Sequence, residues 1–197
     1  MQMDQAVTGS KSKTNGAGKP VVAAAESDKA MAKPRLTPEA ARSAHAENFS
    51  QIAAVMMRDR NFRNTRLGDL EWLLLPPLLA GQWRLGKVSA AVAKNDPKAG
   101  VALIPAAVAL WARVSPAVDE RLSANLDKPL LLKPNEWTSG DILWLIAVAG
   151  DPRAMPRFLV SLRDREFKDK TVKLRAGGPD KQPVVMDLME YTRDLKV

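Results

Sequence analysis

The run DILWLIAVAG, residues 141 to 150, constrains this chain more than any other feature. Apart from Asp141 it holds no polar side chain, and it is bounded by Ser139-Gly140 on one side and Gly150-Asp151 on the other. A stretch so short and so apolar has to be covered on both faces, and its branched side chains and flanking glycines suit a strand better than a helix. A central buried strand is therefore expected, and the rest of the chain must supply partners for its edges and helices for its faces.

Those partners are legible. GQWRLGKVSAAVA and VALIPAAVALWARV, joined by the turn KNDPKAG, read as two paired strands. Pro105 marks a bulge or an edge position in the second, because it has no N–H to give to a ladder. KTVKLRAGGPDKQPVVMDLM reads as a closing hairpin over Gly177-Gly178-Pro179-Asp180. Thr37-Pro38-Glu39 is a helix start, with Thr37 as N-cap, and a helix from about 38 to 60 follows. Its buried stripe should be Phe49, Ile52, Ala53, Met56 and Met57, which recur at three- and four-residue spacing. A second helix should begin near Gly68-Asp69 and carry Leu70, Trp72, Leu73 and Leu74 until Pro76-Pro77 distorts or ends it. Ser115 should cap a short helix from about Pro116 to Asn125. Helical spacing returns over 152 to 167, at Met155, Phe158, Leu159 and Leu162. The sum is an α/β or α+β single domain over 37 to 197, without internal repeats.

With 197 residues and 46% hydrophobic side chains, the chain can fill one core and still carry a tail. Residues 1 to 36, rich in Gly, Ser, Ala, Lys and Pro and without aromatic side chains, are expected to form a disordered basic tail. Cysteine is absent, which excludes disulfides, thiolate chemistry and sulfur-based zinc sites, and no metal is expected. The first residues lack the apolar core of a secretory signal, and no run reaches the roughly 18 apolar residues of a membrane span. A soluble, cytoplasmic protein is the expectation. The net charge of +8 permits contact with nucleic acid, an anionic membrane or an acidic protein. No zinc-finger spacing, helix-turn-helix pattern or RNP-like aromatic motif focuses that charge, so nucleic-acid binding is the weakest of these readings.

DLEWLLLPPLLAGQWRL at 69 to 85, ALWARVSPAVDERL at 109 to 122 and, above all, EWTSGDILWLIAVAGD at 136 to 151 follow one another in an informative order. In that order they resemble the RTX toxin-activating lysine acyltransferases, the hemolysin-activating family, over roughly residues 48 to 190. The resemblance implies a fold similar to the GNAT acetyltransferases, a mixed, mostly antiparallel sheet flanked by helices, often as a homodimer. It also implies a fatty acyl group moved from an acyl-acyl carrier protein to internal lysines of an RTX protoxin, with no bound cofactor. Acyl carrier proteins are acidic, and Arg58, Arg60, Arg63 and Arg66 beside the helix junction can steer such a partner or simply face solvent.

The same resemblance assigns catalysis to a histidine at the end of the first helix and an aspartate in the buried strand. Lysine has a reference pKa of about 10.4, so a base must take its proton before the nitrogen attacks a thioester. Aligned on Leu75-Pro76 and Gln82-Trp83, the histidine position holds Phe62, immediately before Arg63-Asn64. Aligned on Trp137-Thr138-Ser139-Gly140-Asp141, the aspartate position holds Ala147. Neither can move a proton. His45, the only histidine, would lie roughly 25 Å from position 62 along a helix. Asp141 and Asp151 would lie roughly 20 Å and 13 Å from position 147 along a strand. Asp59 or His45 stands as a candidate relocated base, with Asp69 and Glu71 weighed as structural or surface residues. Two readings remain open: a degenerate member that binds an acyl carrier protein, an RTX-type protein or an active paralogue, and a working acyltransferase with a displaced base.

Overall fold

The computed structural model describes residues 37–91, 101–178, 180, 182–193 and 195, so the expected tail over 1 to 36 and the KNDPKAG turn lie outside the described residues. Among the described residues five strands, β1 (Trp83–Ala91), β2 (Val101–Val114), β3 (Ile142–Gly150), β4 (Val172–Gly177) and β5 (Pro183–Asp187), form one sheet in sequence order. The β1–β2, β2–β3 and β4–β5 pairs are antiparallel, whereas β3 and β4 are parallel. The sheet is thus mixed and mostly antiparallel, and the apolar run read first from the sequence is its middle strand.

Helices cover both faces, in keeping with an α+β class. On one face lie α1 (Pro38–Arg58), α2 (Leu70–Leu73), α3 (Leu75–Leu79) and α4 (Pro116–Ala124), packed over Val108, Leu110, Trp144 and Ala149. On the other, α5 (Met155–Arg165) and α6 (Leu188–Arg193) pack over Ala109, Trp111, Leu145 and Leu174. The two apolar clusters share no residue, and neighbouring strand positions alternate between them, as the pleat requires. Among the described residues no helix is long and apolar enough to cross a membrane.

The helix signals act as expected. The Thr37 side chain accepts from the Ala40 N–H and the Ser115 side chain from that of Val118, each followed by proline in the first turn. The buried stripe of α1 needs one correction. Ile52, Val55 and Met56 are buried with Phe49 half-covered, but Met57 is 71% exposed. At 100° per residue Met57 stands well round the helix from Ile52, while Val55 falls back beside it. Pro76 and Pro77 do not end the helical path. A short 3-10 turn at Leu67–Asp69 leads into α2, Leu74 interrupts it, and α3 restarts with both prolines in its first turn, where their missing N–H groups leave no bond unmade.

Two irregularities shape the sheet. Lys87 pairs with Pro105 and Gly86 with Ala107, so Ala106 is a bulge in β2 next to the proline that announced it. Pro105 also lies beyond the stretch where β3 accompanies β2, so its missing donor is harmless. A second bulge lies in β3, where Leu110 faces Ala147 and Trp111 faces Leu145, leaving Ile146 without a partner in β2.

The end of the chain departs from the expected closing hairpin. β4 and β5 do form the hairpin, with the Gly178 N–H donating to the Gln182 carbonyl at 2.7 Å. Pro179 of the expected turn lies outside the described residues. The Asp-Leu-Met segment, however, leaves the strand and opens α6. Asp187 closes β5, and its carboxylate accepts from the Val172 N–H at 2.9 Å and the Met189 N–H at 2.7 Å. One side chain therefore ends a strand and caps a helix.

Candidate functional site

The motif that carries most of the family resemblance turns out to be a structural latch. Trp137 is completely buried in the first cluster, and its carbonyl accepts from the Arg113 N–H at 2.9 Å. Ser139 accepts from the Ser115 N–H at 2.9 Å and donates to the Glu136 carbonyl at 3.0 Å. A Cβ on Gly140 would stand 2.5 Å from the Val114 carbonyl oxygen, so only glycine lets this segment lie against β2. Asp141 pairs with Arg113.

The chemistry-bearing positions gather where α1 ends. Asp59 closes α1 in an extended conformation and gives one carboxylate oxygen to the Gly150 N–H at 2.9 Å and the other to the Asn61 N–H at 2.8 Å. Arg58 donates to the Pro105 carbonyl at 2.9 Å. The end of α1 is thereby fixed to the bulged part of β2 and to the last residue of β3. The next turn carries Phe62, half-buried, whose ring packs against the cluster that contains Ala147, itself 6% exposed. Positions 62 and 147, distant in sequence, thus belong to the same large apolar cluster, and neither is part of the cleft lining. Gly150 must be glycine here: its φ is +144°, and a Cβ would stand 2.3 Å from the Ala106 oxygen.

Beside this junction the sheet opens. β3 and β4 pair over only Leu143↔Val172, Trp144↔Lys173 and Leu145↔Leu174. The ladder stops where Ile146 bulges, because the extra residue turns the β3 backbone away from the direction that would continue it. The resulting fork is a cleft of ≈ 860 Å³. Its floor is apolar, with Leu145, Val148, Leu159, Leu174 and Ala176, and its rim carries Arg58, Asp59, Arg60 and Asn61. Arg175 and Tyr191 also reach it. The arrangement suits a ligand with an apolar part and an anionic or carbonyl-rich part.

The structure brings Asp59, Arg58 and Arg60 to the cleft, whereas Arg63 and Arg66 stay on the exposed turn outside its lining. His45 is exposed on α1, and Glu71 is exposed on α2. Asp69 accepts from the Arg66 N–H and from the Trp72 indole, a capping role. Asp151 is held by Arg153, whose side chain and N–H both donate to it and lower its pKa to about 2. Among the described residues no group of three or more His, Asp or Glu side chains is placed to hold a metal ion.

Sequence reasoning missed Arg175, Tyr191 and the α5 residues of the cleft. It also missed an ionic group behind the fork: Asp119 on α4 accepts from the Trp144 indole at 2.7 Å and from Lys173 at 2.8 and 2.9 Å. Alternating Lys173 and Arg175 in VKLRA would pass for the solvent face of a strand.

A helix-flanked mixed sheet with a forked, bulged parallel pair defines an α+β protein with a cleft beside the fork. The RTX toxin acyltransferase (HlyC) family model matches residues 41–187, and the chain belongs to that family. No curated relative matches it.

Proposed function

We propose that this protein is a catalytically degenerate member of its family, which keeps a GNAT-like donor cleft and binds rather than acylates. The observation that carries this reading is that Phe62 packs against, and Ala147 is buried in, one apolar cluster, and that neither lines the cleft. An aromatic ring and a methyl group stand where the family resemblance puts the proton-transfer pair, and neither can accept a proton from a lysine ammonium. Loss of both members of a His/Asp pair is also the physically tolerable loss, because a buried carboxylate stripped of its partner costs several kcal/mol.

The cleft itself fits the family's donor, an acyl-acyl carrier protein. The apolar floor suits an acyl chain, unpaired backbone groups along the fork suit the amides of a pantetheine arm, and Arg58 and Arg60 suit its phosphate. Exposed Arg63 and Arg66 extend the cationic surface toward an acidic carrier. The acceptor side is an RTX-type protein or an active paralogue, met in the cytoplasm, with homodimerisation a further family trait to test.

The second reading, an active lysine acyltransferase with a relocated base, draws on Asp59, which lies in the cleft lining. Both its oxygens are already engaged by backbone N–H groups, so acting as a base would weaken the fixture of α1. His45 is exposed on α1 and is no member of the cleft lining.

The test is incubation with octanoyl-acyl carrier protein and a lysine-containing RTX protein, read by intact mass. Carrier binding with an unmodified acceptor is expected, together with recovered transfer in the Phe62→His, Ala147→Asp double variant. Robust acylation by the unaltered protein, lost in Asp59→Ala and kept in His45→Ala, would replace the first reading by the second.

A further inference from the structure

We propose that Asp119, Lys173 and Arg175 form a brace that holds the β3–β4 fork open by tying β4 to α4, and so act as positioning residues for an acyl-pantetheine chain in the cleft. The ligand class rests on reading the cleft as the acyl-donor site.

The geometry is specific to the fork. Lys173 and Arg175 occupy alternate positions of β4 and so point to the same face, toward α4. Lys173 belongs to the middle rung of the short ladder, opposite Trp144. Its ammonium lies 2.8 and 2.9 Å from the two Asp119 oxygens, and one of those oxygens also takes the Trp144 indole N–H. Asp119 therefore clamps both strands of one rung to α4. Arg175 lies one residue beyond the last rung, where β4 has left β3. Its guanidinium donates to the Leu122 and Lys128 carbonyls, at 2.6 and 2.5 Å, around the C-terminal end of α4. One anchor thus sits below the crotch of the fork, and the other draws the free limb aside.

Arg175 is an expensive choice for simple packing. Burial pushes its pKa below the usual arginine value although the Asp127 charge opposes the shift, its Nε finds no partner, and it makes no close ion pair among the described residues. An apolar side chain would fill the same space without that desolvation. What the guanidinium supplies is a two-pronged hold on carbonyls of α4 and its following loop, which lysine's single ammonium does not reproduce. β3 contributes the other half of the device: its bulge at Ile146 ends the ladder, and the brace keeps β4 from closing against it.

Three variants decide the matter in the full-length protein. Arg175→Lys keeps the charge and loses the fork geometry, Asp119→Asn keeps the indole acceptor and loses the ionic clamp, and Arg157→Gln is a control outside the brace. Hydrogen exchange without ligand is expected to accelerate about tenfold or more at the amides of 174 to 177 in the first two, with unchanged rates in α5. Octanoyl-acyl carrier protein should bind those two about tenfold more weakly and the control as wild type. If the unaltered protein does not bind the carrier, the acyl-donor reading fails, and the exchange rates still decide whether the brace exists. Unchanged exchange in both brace variants overturns the brace. Faster exchange with full carrier affinity overturns its positioning role.

Discussion

Phe62 and Ala147 show how much a substitution depends on what its neighbours will tolerate. Ala147 is 6% exposed and faces an apolar cluster, so an aspartate introduced there alone would be buried without a partner. Ala147→Asp should cost about 3–5 kcal/mol in urea unfolding. Adding Phe62→His should return about 1–3 kcal/mol of that as a coupling energy, because the imidazolium would pair with the new carboxylate. A purely additive double-mutant cycle would show that the two positions do not face each other. Asp151 offers a second measurement. Hydrogen bonds from Arg153 lower its pKa to about 2, below the unfolded value of about 3.9. A depressed acid contributes stability above its unfolded pKa and loses it as pH falls toward the native one. The difference in thermal midpoint between wild type and Asp151→Asn should therefore be present at about pH 6 and vanish by about pH 2. It should be small, because the Arg153 side chain is 91% exposed.

Among the elements, the joint between α1, the β2 bulge and the end of β3 deserves a direct test at Gly150. The residue has a φ of +144° and lies within hydrogen-bonding reach of Asp59, and a methyl group would overlap the Ala106 oxygen. Gly150→Ala should lower stability by about 2–4 kcal/mol, read by denaturant unfolding, and should disturb the cleft because the same joint forms its rim. Much of this element layer was readable from residues alone. Apolar DILWLIAVAG had to be central, Pro105 announced its bulge, and Thr37 and Ser115 announced their helices. α6 is hard to read from the sequence because Asp187 resembles the end of a strand, although Asp187 and Glu190 have the spacing of a capping box. Met57 fits a count of apolar spacings yet lies off the buried stripe, because such a count does not fix the rotation of a helix. The fork was not legible at all. Where β3 and β4 part is set by the register of β3 against β2, a tertiary quantity that no local pattern encodes, and Lys173 and Arg175 look like solvent residues until α4 is laid over them.

At the scale of the whole molecule, charge and shape point to the same kind of partner. A net charge of +8 is most useful where cations surround an opening, and Arg58 and Arg60 line the cleft while Arg63 and Arg66 continue outward from it. Replacing Arg60 and Arg63 together by glutamate should weaken acyl carrier protein binding by about tenfold or more, chiefly through the association rate. The wild-type affinity should fall between about 50 and 300 mM salt, and the variant should show a flatter dependence. The latch at Trp137 to Gly140 has a wider consequence. The part of the resemblance carried by this motif is anchored in an indole with no access to solvent and in a residue too small to collide with β2, neither of which lines the cleft. Residues that mark kinship and residues that line an opening can therefore change independently, and a fold held by such a latch can stay recognisable while its cleft diverges.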